Sequence, residues 1–329
     1  MNIFAGKPAF NTTKTGSIKS TLELIGKTPL LELTDDDRTA RVYAKAEFQN
    51  PSGSIKDRMV AYIIQMAELR GEIEPGQTIV EATSGNTGVS LAMVAAIKGY
   101  KALILAPDTT SNIKRYMMKL YGAKLLLTDG DEGINATVEK ARTLAEERGA
   151  FLLNQFKSSD NPAAHHVTGK EILDQLGAVD VFVAGVGTGG TLIGVGEVLK
   201  EVNPDTRLVA VEPYTAPALF NLFHGEDLPV GSGIPHRIEG IGETFVPDII
   251  KNSIDLIDDV VLVRDEDAFN CMRQLGRSYG LCVGVSSGAN VHVAKSLVKS
   301  LNNSMSAVTV LPDSGQRYLD QIKFTDLCR

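Results

Sequence analysis

One lysine and three glycine-rich turns hold the residue types that could do chemistry in this chain. Lys56 stands in the first turn, Asn50-Pro51-Ser52-Gly53-Ser54-Ile55-Lys56-Asp57-Arg58, just where a helical pattern begins. Lysines are mostly solvated surface charges. At a helix start, however, the backbone dipole is positive. That field, together with burial, would depress the amine's pKa and free it to attack a carbonyl. Gly53 and Ser54 leave room for something bulky to approach. On residue types alone, a surface charge and a reactive amine both stay open.

The second turn, Ala82-Thr83-Ser84-Gly85-Asn86-Thr87-Gly88, places the donors Thr83, Ser84, Asn86 and Thr87 around a glycine. A helix N-cap needs one such residue. Several make a cup in which neutral donors can hold a carboxylate without a buried counter-charge. The third turn, Gly185-Val186-Gly187-Thr188-Gly189-Gly190-Thr191, matches G-x-G-x-x-G between an apolar run and a helical pattern, and the next apolar run ends with Glu212. That is the nicotinamide-dinucleotide fingerprint, with an acid where a ribose hydroxyl would lie. The physics beneath it is more general: glycines let backbone N–H groups converge on a phosphate at the positive end of a helix. A nicotinamide-dependent oxidoreductase is therefore one reading of this turn. The histidines His165, His166, His224, His236 and His292 are scattered, with no acid at metal or triad spacing, and read as structural or solvated. No metal is expected. Cys282 reads as a buried apolar residue, and Asp57 and Arg58 as a first-turn acid and a surface ion pair.

Such turns need strands that end beneath them. Apolar runs at 29–33, 42–46, 78–81, 102–106, 124–127, 181–184, 208–211, 260–263 and 307–311 predict strands. Helix-length patterns lie at 59–70, 86–98, 112–120, 138–148, 169–176, 190–202, 265–278 and 289–301. Continuous rather than alternating apolar runs indicate strands covered on both faces of a mostly parallel sheet. Their alternation with helices predicts an α/β fold with right-handed crossovers, which binds ligands at the carboxyl ends of its strands. The Gly- and Pro-rich stretch 213–247 reads as loops over a site, with 220–229 irregular.

The 329 residues suggest roughly two domains. Apolar residues at 43% and charged residues at 22% exclude a disordered or fibrous chain. With 33 basic and 40 acidic side chains the net charge is −7. This balance, with no long Lys/Arg run, argues against nucleic acid or an anionic membrane as partner. No apolar run approaches the roughly 18 residues of a membrane span. Cys271, Cys282 and Cys328 show no CxxC spacing, so neither a disulfide scaffold nor structural zinc is expected, and a cytoplasmic setting fits. Residues 1–20 carry Lys7, Lys14 and Lys19 but no acid and no arginine, and read as a surface arm rather than a transit peptide.

Together the motifs resemble the cysteine synthase and cystathionine β-synthase family, the fold-type II pyridoxal phosphate (PLP) enzymes. The three turns are followed by Val285-Ser286-Ser287-Gly288 and by Leu311-Pro312-Asp313-Ser314-Gly315 with Arg317-Tyr318-Leu319, in family order and spacing. The resemblance implies two doubly wound open-sheet α/β domains of the tryptophan synthase β-like type. Residues 1–46 and 159–329 would form a large PLP-anchoring domain, and 47–158 a smaller mobile domain for the substrate carboxylate. It implies Lys56 as the lysine that forms the Schiff base with PLP and as the base for the substrate Cα proton. Gly187, Thr188, Gly189, Gly190 and Thr191 would hold the cofactor phosphate, Asn86 would stand beside the ring hydroxyl, and Ser286 would meet the pyridine nitrogen. Thr83, Ser84, Asn86, Thr87 and Gln155 would bind the substrate carboxylate, and Gly240-Ile241-Gly242 would line the mouth.

The activity so implied is β-replacement on an activated L-serine such as O-acetylserine, with sulfide, to give cysteine in a homodimer. Homocysteine, as in cystathionine β-synthases, or an amine is the alternative nucleophile, and a non-catalytic PLP-retaining partner protein is the reading without turnover. A serine at the pyridine nitrogen cannot hold it fully protonated as an aspartate would, so the ring is a moderate electron sink. Three departures bear on leaving group and nucleophile rather than on cofactor. Thr110-Ser111-Asn112-Ile113-Lys114-Arg115 stands where the family usually has Met-Ser and then Glu-Arg-Arg. The segment between Glu212 and His236 is longer than usual, and 161–169 is one residue short.

Overall fold

Strands that must be covered on both faces organise this molecule. In the computed structural model the described residues are 18–34, 40–83, 85–230 and 236–320. They begin with β1 (Leu30–Glu32), β2 (Arg41–Lys45), α1 (Lys56–Arg70), β3 (Thr78–Ala82), α2 (Asn86–Lys98), β4 (Lys101–Pro107), α3 (Asn112–Leu120) and β5 (Lys124–Thr128). Next come α4 (Gly133–Arg148), β6 (Phe151–Leu152), α5 (Asp160–Leu176), β7 (Val181–Gly185), α6 (Gly190–Val202), β8 (Arg207–Pro213), α7 (Ala218–His224) and α8 (Asp248–Lys251). The last four are β9 (Asp259–Val263), α9 (Asp265–Tyr279), α10 (Val285–Leu297) and β10 (Ser306–Val310).

Two open sheets result. One runs β5-β4-β3-β6 and is parallel throughout. The other runs β1-β2-β10-β7-β8-β9 and is parallel except for the β1–β2 pair. The apolar runs behave as their continuity requires. In β7, Val181 and Val183 enter a core with α9 and α10, whereas Phe182 and Ala184 enter another with Leu192 and Ile193 of α6. In β3, Ile79 faces the core built on α1 and α2, and Val80 and Ala82 face Ala141 and Ala145 of α4. Strand β10 lies on one side of β7 and β8 on the other. The Gly185 turn therefore sits where the strand order reverses, the place where open α/β sheets form a ligand crevice. Among the described residues no helix is long and apolar enough to cross a membrane.

Several expectations need correction. Strand β6 has two residues, too few to show a pattern. Helix α5 starts at Asp160, ahead of the predicted 169, because its inner face is made of small and polar residues. A Cβ on Gly194 of α6 would stand 1.9 Å from the Pro162 carbonyl oxygen, and one on Gly169 would stand 2.8 Å from Val198. Such close helix contact needs glycine, not an apolar stripe. The stretch read as irregular contains α7, whose Leu219 is buried and whose first N–H groups, Leu219 and Phe220, donate to the Glu212 carboxylate at 3.0 and 2.8 Å. Cys282 is exposed rather than buried, because it lies in the turn between α9 and α10, whereas Cys271 is buried in α9. Cys328 and residues 1–17 lie outside the described residues.

Candidate active site

Lys56 is the first residue of α1, and its turn is stitched to the segment that leaves β10. Ile55 N–H donates to the Pro312 carbonyl at 2.8 Å and Ser314 N–H to that of Gly53 at 3.0 Å. Gly53 sits at φ +84, in the left-handed region that suits glycine. Asp57 anchors the same turn from within, accepting from Ser52 N–H at 2.7 Å and from the Ser90 hydroxyl of α2 at 2.6 Å. Arg58 donates to Glu47 at 2.7 and 2.8 Å and to Glu171 of α5 at 2.8 Å through two nitrogens. Asp57 is the first-turn acid expected, but the ion pair read as a surface one is buried, because α1 is packed between α2 and α5 and its first turn points inward.

The Lys56 amine itself makes no hydrogen bond and no ion pair among the described residues. Desolvation lowers its pKa, with the charges of Glu243 and Asp313 pulling the other way. Across the same cleft lies the glycine loop at the end of β7. A Cβ on Gly187 would stand 2.5 Å from the Gly240 carbonyl oxygen, so residues 236–243 rest directly on this loop. The Gly190 N–H donates to Thr188 Oγ1 at 3.4 Å; Gly189, at φ +86, precedes α6 and has no side chain to cap it. The hydroxyls of Thr188 and Thr191 flank its start; Thr188 accepts from Asn161 Nδ2 at 3.0 Å and Thr191 meets His165 Nε2 at 3.3 Å. Ser286, in the first turn of α10, is buried and lines the cleft.

The second turn is placed beside them. Thr83 Oγ1 accepts from Gly85 N–H at 2.9 Å, and Thr87 Oγ1 donates to Gln155 Oε1 at 2.6 Å. Gln155 Nε2 donates to the Ala82 carbonyl at 3.0 Å, so Gln155 is held by Thr87 on one side and by the end of β3 on the other. Thr83, Asn86 and Gln155 line the cleft, whereas Thr87 stands behind Gln155. Ser84 lies outside the described residues. Asn86 Nδ2 donates to Asp313, and its Oδ1 accepts from Arg317 at 2.7 Å.

Residue-type reasoning gave no role to five groups here: Lys114, Glu239, Glu243, Asp313 and Tyr318. Lys114 of α3 is fully buried, forms an ion pair with Glu239 and stands 4.5 Å above the Tyr318 ring. Its methylenes cover Gly85, where a Cβ would stand 2.4 Å from Lys114 Cδ. Asp313 accepts from the Tyr318 hydroxyl as well as from Asn86. Burial raises the Asp313 pKa against these bonds and the charges of Arg317 and Lys114. Glu243 lines the cleft opposite Lys56. The signals were slight: Lys114 fell in a run that departs from the family, and Glu243 follows the Gly240-Ile241-Gly242 turn. Glu212, the acid of the dinucleotide reading, is occupied by the first N–H groups of α7. The buried His165 ring meets Thr168 and Thr191, and burial holds its pKa well below the usual value. Among the described residues no group of three His, Cys, Asp or Glu could hold a metal ion.

Comparison with known proteins places this cleft in context. Residues 21–313 match the family described as pyridoxal-phosphate dependent enzyme. The chain is 42% identical to a cysteine synthase of Staphylococcus aureus (strain Mu50) over 320 residues, 96% of this chain and 97% of that one. A crystal structure of O-acetylserine dependent cystathionine β-synthase from Helicobacter pylori is similar with a TM-score of 0.87 and 36% identity, over 94% of this chain and 100% of the other. One of O-ureido-L-serine synthase is similar with a TM-score of 0.86 and 38% identity, over 93% of this chain and 95% of the other. The three relatives are named for three different products.

Proposed function

The chain belongs to the pyridoxal-phosphate dependent enzyme family, and we propose that it catalyses β-replacement on O-acetyl-L-serine with sulfide, forming L-cysteine. It is a PLP-dependent, cysteine synthase-like enzyme. The cleft fits that cofactor. An unpaired, desolvated amine at Lys56 is suited to a covalent link with an aldehyde. A cradle that a Cβ on Gly187 would fill, ahead of the start of a 13-residue helix, suits a phosphate.

When bound, PLP supplies the electron sink that lets a substrate Cα proton leave. The rest falls to the chain's own residues. Lys56, kept toward its neutral form by desolvation, takes the Cα proton on Nζ. Gly187, Thr188, Gly189, Gly190 and Thr191 would hold the cofactor phosphate, and Ser286 would offer a hydroxyl rather than a charge to the ring nitrogen. Thr83, Ser84 and Gln155 would hold the substrate carboxylate, with Thr87 bracing Gln155 from behind. Asn86, braced by Asp313 and Arg317, would orient the ring. All strands of the smaller sheet fall between residues 78 and 152, which supports closure of a 47–158 lobe over the carboxylate to exclude water. A cytoplasmic homodimer completes the reading.

The observation that carries it is the Lys56 amine, unpaired and desolvated, in one cleft with the glycine loop of α6. The departing run Thr110 to Arg115 puts Lys114 at the cleft, and this favours a second reading in which homocysteine or an amine is the nucleophile. Purified protein supplied with PLP is expected to be yellow, with borohydride fixing the cofactor on Lys56, and Lys56→Ala is expected to lose turnover. O-Acetylserine is then offered with sulfide and with homocysteine, and the products are identified. Colourless protein with no adduct at residue 56 would refute the cofactor assignment. Turnover with homocysteine alone would refute sulfide.

A further inference from the structure

Asn161 stands behind this cleft and joins its two sides. It is 1% exposed and belongs to the first turn of α5. Its Nδ2 donates to the Gln155 carbonyl at 2.7 Å and to Thr188 Oγ1 at 3.0 Å. Gln155 follows β6 of the smaller sheet and Thr188 follows β7 of the larger one, so a single amide spans the two. Two glycines of α6 make room for it. A Cβ on Gly190 would stand 1.9 Å from Asn161 Oδ1, and one on Gly194 would stand 1.9 Å from the Pro162 carbonyl oxygen. The start of α5 therefore lies against the glycine loop with no slack.

The donor and acceptor inventory fixes the direction of each bond. A carbonyl only accepts, so the amide nitrogen of Asn161, not its oxygen, must face Gln155. The same nitrogen then donates to Thr188, whose hydroxyl oxygen also accepts from Gly190 N–H at 3.4 Å. Both lone pairs of that oxygen are thereby used. Its proton is left over, and it donates to nothing among the described residues. Thr188 lines the cleft, so that proton is available to an anion held by the loop.

We propose that Asn161 is a positioning residue: it commits the Thr188 hydroxyl to donate to the cofactor's phosphate monoester and, through the same amide, ties that phosphate to the placement of Gln155. The inference rests on the reading of Gly187 to Thr191 as the phosphate loop and of Gln155 as part of the carboxylate cup. Asn161→Asp keeps the shape and reverses the direction. An acceptor then meets the Gln155 carbonyl, and the Thr188 proton turns back to residue 161 instead of out to the phosphate. Asn161→Ala removes the donor without adding a competing acceptor, so Thr188 is freed rather than misdirected.

The test titrates the full chain, freed of cofactor, with PLP and with pyridoxal, which lacks the phosphate. Wild type is compared with Asn161→Asp, Asn161→Ala, Thr188→Val and the two double variants. Asn161→Asp is expected to raise the PLP dissociation constant about tenfold or more, and Asn161→Ala by less, while all bind pyridoxal alike. On the Thr188→Val background the Asn161 substitutions are expected to add less than about twofold, because no hydroxyl is left to direct. PLP-saturated protein is then titrated spectrally with L-alanine, which has the carboxylate and no leaving group. Its dissociation constant is expected to rise about threefold or more in both Asn161 variants. A PLP constant that Asn161→Asp leaves unchanged, losses that add in full to those of Thr188→Val, or equal losses with pyridoxal overturn the hydroxyl assignment. Unchanged L-alanine binding overturns the tie to Gln155. Wild-type PLP affinity in Thr188→Val brings down the phosphate-loop reading, and this inference with it. If Asn161→Asp does not fold, Asn161→Ala with Thr188→Val makes the same comparison.

Discussion

Arg58→Ala tests whether the helix that begins with Lys56 is held by a buried charge network. Arg58 is 4% exposed and bridges Glu47, at 0%, to Glu171, at 15%. Removing it takes the guanidinium from the buried Glu47, which keeps only hydrogen bonds from Thr28 and Asn50, and leaves Glu171 with Lys45; breaking a buried pair in this way costs about 3–5 kcal/mol. The titration of Glu171 gives a second route to the magnitude. Burial pushes its carboxyl up, but the Arg58 bonds and charge, with Lys45 and the Lys27 N–H, overcome this and bring it from 4.5 down to about 2. That shift corresponds to roughly 3 kcal/mol, shared between Arg58 and the other partners. Because the folded-state pKa is depressed, the stabilisation is present above pH about 4.5 and fades as pH falls toward about 2. Urea unfolding of wild type and variant at pH 7 and pH 3 measures both quantities. The expected gap is about 3–5 kcal/mol at pH 7 and smaller at pH 3. A gap below about 1 kcal/mol, the usual worth of a surface pair, would refute the reasoning. So would a gap that ignores pH.

Gly187→Ala would put a methyl group 2.5 Å from a backbone oxygen that cannot rotate away. It is expected to cost about 1–3 kcal/mol in thermal melting and to weaken PLP binding in a spectrophotometric titration; unchanged affinity would remove the rigid cradle. Glu81 is buried in β3, and desolvation lifts its carboxyl to about 8 against the N–H groups of Asn154 and Gln155. Its folded pKa is raised, so wild-type stability falls as pH climbs from about 4.5 to about 8. Glu81→Gln is therefore expected to be more stable than wild type at pH 9 by roughly 2–5 kcal/mol, and not at pH 5, in paired unfolding curves.

Local pattern made much of this protein legible before folding. Apolar runs such as 102–106 and 208–211 marked strands because each side chain in them must find cover on one face or the other. Thr83 to Gly88 and Gly185 to Thr191 stood out as candidate ligand turns because their chemistry lies in contiguous backbone. What the sequence left open depended on residues that meet only across the fold. Arg58 and Glu171 are 113 positions apart and Lys114 and Glu239 are 125 apart, and no periodicity announces such pairs. Helix α5 was underestimated because glycine-to-backbone contact with α6, not an apolar stripe, holds it. Glu212 fits a ribose by spacing, but tertiary structure gives it to α7. Lys56 shows the division most plainly: its place at a helix start is written in nine adjacent residues. Whether its amine would be charged and solvated, or neutral and poised, depended on α2, α5 and the segment after β10 closing around that turn, because desolvation is a property of everything nearby at once.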